Sequence, residues 1–60
     1  MTYPEAVQAA RAVTTYEEVD ALCKAIEEEY ETISDSQYYA IRNIAINAAY
    51  KALCEKEKDT

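Results

Sequence analysis

The chain has 60 residues, 12 acidic and 6 basic side chains, a formal charge of −6, no histidine and no glycine. A chain this short makes one domain whose core barely outweighs chain entropy, so disulfides, a metal or association are its usual supports. Without glycine there is no phosphate-cradling loop or dinucleotide-binding turn, and without histidine the commonest general base and metal ligand are gone.

Composition favours helices. Eleven alanines accompany a thin set of larger apolar residues, six tyrosines are the only aromatics, and the lone proline is Pro4. Tight hairpins need residues that tolerate positive φ, and glycine is their usual source. The first helix is expected from Tyr3 to about Val13, with Thr2 before it and Pro4 in its first turn. Tyr3, Ala6, Val7, Ala10 and Val13 fall on one side at helical spacing. Thr14-Thr15 breaks the pattern, and Thr15 with Glu18 three residues on has capping-box spacing.

The second helix is expected from Tyr16 to about Thr32. Val19, Leu22, Cys23, Ile26, Tyr30 and Ile33 occupy an arc of roughly 100° on it. Ser34 and Gln37 repeat the capping-box spacing. The third helix follows, from about Ser36 to Lys56. Ile41, Ala45, Ala48 and Ala52 form one stripe on it, and Tyr39, Ile44, Ile46, Ala49, Tyr50 and Leu53 widen the apolar arc to roughly 240°. Asn43, Asn47, Lys51 and Cys54 are left outward. The expected architecture is a single all-α domain over residues 1–60: a three-helix bundle with a short first helix and an antiparallel hairpin of the second and third.

So broad an apolar arc must be covered on more than one side. Either the first two helices both pack on the third, or a further face meets a second copy or another protein. In the second case the oligomer interface is Arg42, Ile46, Ala49, Tyr50 and Leu53. Arg42 lies within the arc, either with its stem packed and its head in water or as an interface anchor.

Charge is segregated. Residues 1–13 and 34–60 are each neutral, whereas residues 14–33 carry seven acids against Lys24, so the whole −6 belongs to the second helix and its flanks. Glu17, Glu18 and Asp20 sit favourably at the positive end of the helix dipole. Glu27, Glu28, Glu29 and Glu31 crowd the negative end, and Glu27 and Glu31 are a like-charge pair four apart. One reading is a solvated face. The other is a negative surface, Glu27, Glu28 and Glu31 with Tyr30, that attracts a basic partner. Tyr38 and Tyr39 at the following turn either cap the bundle end or extend that contact patch.

The function expected is a small non-enzymatic interaction module or inhibitor. It self-associates through the third helix, captures a basic protein through the second, or does both. An acidic mimic of nucleic acid, inhibiting a DNA- or RNA-binding protein, is the alternative, although two neutral segments out of three count against it. A purely structural subunit of a homo-oligomer is a further alternative. Direct nucleic-acid binding is not expected from a chain with no basic footprint for phosphates. No catalytic pair, cofactor motif or metal-ligand spacing is present, so no enzyme activity, cofactor or metal is expected. The chain lacks an apolar run of about 18 residues and a basic region followed by an apolar one, so no membrane span and a cytoplasmic location are expected. Cys23 and Cys54 fall roughly 13 Å apart in level along such a hairpin, too far for an internal bridge. Cys23 reads as a core residue and Cys54 as an exposed thiol.

Overall fold

The computed structural model describes residues 2–29 and 33–58, with the Lys58 side chain excepted. Three helices follow in order: α1 (Tyr3–Arg11), α2 (Tyr16–Glu28) and α3 (Asp35–Lys58), and no strand occurs among the described residues. The protein is a small all-α three-helix bundle.

Local chemistry explains most of the helix ends. At α1, Pro4 sits in the first turn, where a missing N–H costs nothing. The Thr2 carbonyl accepts from Ala6 N at 2.9 Å, without help from the Thr2 side chain. The helix stops at Arg11, two residues before Val13. Ala12 N already shares the carbonyls of Gln8 and Ala9 at 3.3 and 3.2 Å. The β-branched run Val13-Thr14-Thr15 is a weak continuation of a helix. Val13 nevertheless stays buried and closes the core beyond the helix end.

At α2 the Thr15 hydroxyl caps Glu18 N at 3.2 Å. The return arm departs from the usual box. The Glu18 carboxylate reaches one residue further back, accepting from the Thr14 hydroxyl at 2.8 Å and from Thr14 N at 3.4 Å. At α3 the box is reciprocal: Gln37 N donates to Ser34 Oγ at 3.3 Å and Ser34 N to Gln37 Oε1 at 3.1 Å.

The end of α2 differs from the sequence expectation. The helix ends at Glu28 rather than near Thr32, with Glu29 as its cap, φ −107° and ψ 38°, and Glu29 N bonded to the Ile26 carbonyl at 3.0 Å. No basic residue lies in the last turn. Successive glutamates at the negative end of the dipole oppose further turns, and a tightened i→i−3 bond ends the helix instead.

The core is one continuous cluster. Ala6 and Ala10 of α1, Val13, Val19, Leu22 and Ile26 of α2, Ile33, and Ile41, Ala45 and Ala49 of α3 are all buried. Helix α3 packs against both other helices, and α1 also touches α2. Ile41 is the largest side chain with no solvent exposure. Small residues on both α1 and α3 let that pair approach closely. Thus Ile41, Ala45 and Ala49 of the broad apolar arc are covered within the chain, while Tyr39, Tyr50 and Leu53 stay exposed.

The bundle is elongated, 43 × 15 × 15 Å. Ala49 is the last buried residue of α3. The helix continues to Lys58, so its end projects roughly 13 Å past the core. No described helix is long and apolar enough to cross a membrane.

Candidate functional site

Two surface regions gather the residues that sequence reasoning singled out. One lies where α2 hands over to α3. The other runs along the outer side of α3.

At the handover, Ile26, Glu27, Ile33, Asp35, Tyr38 and Tyr39 line a pocket of about 160 Å³. Its position follows from the packing. Ile26 near the end of α2 and Ile33 just before α3 are both anchored in the core, at 2% and 4% exposure, and give the pocket its apolar side. Glu27 is the neighbour of Ile26 and is carried to the rim. Asp35 is the first residue of α3, and Tyr38 and Tyr39 follow one turn later. The two rings meet edge to face, with centroids 5.5 Å apart and planes at 75°. They form a corner rather than a flat stack.

The polar contacts tie the two helices together. The Tyr38 hydroxyl donates to Glu27 Oε1 at 3.3 Å. The Tyr38 phenol is pushed up to about 12, chiefly by desolvation, then by the Cys23 side chain and by the Glu27 carboxylate beside it. Tyr38 therefore stays a neutral donor throughout the ordinary pH range. An ionised carboxylate has about four acceptor sites, of which this bond occupies one at Glu27. With Asp35 also in the lining, the site combines two acidic residues, two aromatic rings and two isoleucines. Such a lining suits a cation with an apolar stem.

Of the acidic surface expected at the end of α2, Glu27 and Glu28 are exposed, and Glu27 joins Tyr38 and Tyr39 at the pocket. Tyr30 and Glu31 lie outside the described residues. Ile26, Ile33 and Asp35 are the lining residues that the sequence did not assign to a site, Ile26 and Ile33 having been read only as part of the apolar arc. The seven-residue step from Ile26 to Ile33 put both on one face but gave no sign of a concavity. Asp35 had no signal, since its place depends on how α3 enters the bundle.

On α3, Tyr39, Arg42, Ile46, Tyr50 and Leu53 share one stripe about 80° wide at helical spacing. Tyr39, Tyr50 and Leu53 are 58%, 60% and 45% exposed, Arg42 is exposed and Ile46 is half-buried. Ala49 belongs elsewhere: at 1% exposure it is part of the intramolecular core and has no surface to offer a second copy. Tyr16, from the start of α2, is exposed as well, and its phenol influences that of Tyr50. The Tyr50 phenol is raised above its ordinary value, first by a hydrogen bond with the Cys54 side chain. Cys54 is an exposed free thiol, and Cys23 is free and half-buried. Asn43, Asn47 and Lys51 face solvent, as their positions on the helix require.

Among the described residues no group of three cysteine, aspartate or glutamate side chains is arranged to hold a metal ion. Compared with known proteins, the chain matches no family model, no curated protein and no solved structure.

Proposed function

We propose that the chain is a non-enzymatic protein-interaction module that receives a basic segment of a partner protein at the α2–α3 handover. The observation that carries this reading is the pocket itself, whose lining brings Glu27 and Asp35 together with Tyr38, Tyr39, Ile26 and Ile33. Charge supports it at longer range, because the formal −6 is concentrated in residues 14–33. A concentrated field steers an oppositely charged partner, and the pocket then offers it aromatic and apolar contact. Tyrosine beside carboxylate suits an interface that must hold charge and apolar surface together.

The test is binding of a multiply basic peptide, followed as salt rises and after charge reversal. Exposed charges are screened over about 10 Å at 0.1 M salt and about 3 Å at 1 M, so affinity should fall steeply over that range. Glu27→Lys with Glu28→Lys and Glu31→Lys should abolish binding while leaving helix content largely intact, since Glu27 and Glu28 are exposed. Unchanged affinity in the triple variant would contradict the proposal.

A second reading rests on a different observation, the exposed stripe of Tyr39, Tyr50 and Leu53 along α3. This face would meet a second copy. Residues 34–60 are neutral overall, so two such helices approach without net repulsion, unlike two copies of α2.

A further inference from the structure

We infer that two copies of the chain meet antiparallel along α3, on a two-fold axis at Ile46, with Arg42 of each copy against the Tyr50 ring of the other and Tyr39 against Leu53. This inference rests on the second reading above, self-association through α3, and fixes its geometry.

The exposed row is symmetric in its spacing. Tyr39 and Arg42 lie seven and four residues before Ile46, and Tyr50 and Leu53 lie four and seven residues after it. All five fall within an arc of about 80°. A two-fold interface needs a surface that complements itself, so that whatever one residue meets, its counterpart meets in return. Two arrangements satisfy this. A parallel pair sets each residue beside its own copy. An antiparallel pair about Ile46 sets each beside the residue equally far along on the other side.

Charge separates the two. Arg42 is exposed and makes no ion pair among the described residues. A parallel pair brings two guanidiniums level with each other. In the antiparallel pair the residue level with each is Tyr50, 60% exposed, and a guanidinium stacks on an aromatic ring. Tyr39 comes level with Leu53, 58% and 45% exposed, and their contact removes apolar surface from water. Half-buried Ile46 gives its exposed edge to the axis, where the helices come closest. The Tyr50 hydroxyl is already hydrogen-bonded with the Cys54 side chain one turn on, so the ring brings no unsatisfied polar tip into the contact. Asp35 and Glu57 come level only eleven residues from Ile46, at the exposed ends of the row, where salt screens them.

The contact is small. From Tyr39 to Leu53 is about 21 Å along the helix, a single seam against the about 800 Å² per partner of a standard interface. The dimer therefore belongs to high protein concentration. Sedimentation of the full chain up to about 1 mM should give a monomer–dimer equilibrium. Arg42→Gln should raise the dissociation constant about tenfold, because the two-fold axis removes two cation–ring contacts at once. Tyr50→Phe should leave it nearly unchanged. Both positions are exposed, so neither change threatens the fold.

Orientation is read with the Cys23→Ser chain, in which Cys54 is the single thiol. One portion carries a nitroxide on Cys54 and is mixed with isotope-labelled chain for NMR. The nitroxide should broaden the partner's amides most between Ser36 and Ala40, which the antiparallel register brings level with Cys54. Strongest broadening anywhere else on α3, above all around Cys54 itself, would overturn the inference and leave self-association through α3 standing. An unchanged dissociation constant in Arg42→Gln would do the same. Strongest broadening on α1 or α2, or a monomer at every concentration, would overturn both.

Discussion

Tyr38 links the two elements that build the pocket, and its chemistry is directly measurable. Burial, the Cys23 side chain and the Glu27 carboxylate together disfavour its anion and place its pKa at about 12, against 10.0 ordinarily. A phenol whose folded value is raised contributes stability that is fully present below the unfolded value, near 10. That contribution is lost as pH rises through the folded value, near 12. An absorbance titration of the phenolates should therefore show a late component centred near pH 12 that Tyr38→Phe deletes. The protein should lose stability between those two values, and less steeply in the Tyr38→Phe variant. Ionisation of all six tyrosines below pH 11 in the folded protein would contradict this placement of Tyr38.

Helix α3 shows which parts of an element can be read from its residues and which cannot. Its start was legible because a capping box is local: Ser34 and Gln37 satisfy each other three residues apart, whatever the rest of the chain does. The same held for Thr15 at α2, although the Glu18 carboxylate accepted from Thr14 rather than from the Thr15 backbone. Helix stops were harder. The carboxylates from Glu27 to Glu31 each shift the balance by only a few tenths of a kcal/mol, which is too little to place the last turn by inspection. The broad arc of α3 announced that more than one neighbour was needed. It did not say how much would be covered within the chain, because that depends on where α1 docks. Ala49 was assigned to an outer face for that reason and lies inside. What remains exposed on α3 has a consequence of its own. If the stripe of Tyr39, Ile46, Tyr50 and Leu53 meets a second copy, sedimentation should show a mass that rises with concentration and barely responds to salt. Leu53→Glu should return it to the monomer. A monomer mass at every concentration would contradict self-association.

For the whole molecule, the organising feature is a pair of surfaces that meet at Tyr39 on an elongated body of 43 × 15 × 15 Å. The pocket lies at the handover end, with most of the described excess negative charge on the helix beside it. The projecting turns of α3 lie at the other end and carry both signs. Charge segregation was legible from the sequence, since it needs only the order of residues. The pocket was legible in part. Glu27, Tyr38 and Tyr39 could be singled out as a patch, but a concavity exists only once Ile26 and Ile33 are fixed in the core and the start of α3 is brought beside them. The central claim is that this concavity is where a basic partner enters. It is tested most directly by mapping amide and side-chain NMR shifts as a multiply basic peptide is added to the full chain at low salt. Changes concentrated at Ile26, Glu27, Ile33, Asp35, Tyr38 and Tyr39 are the predicted result. Changes centred instead on Tyr16, Tyr50 and Leu53, or none at all, would contradict it.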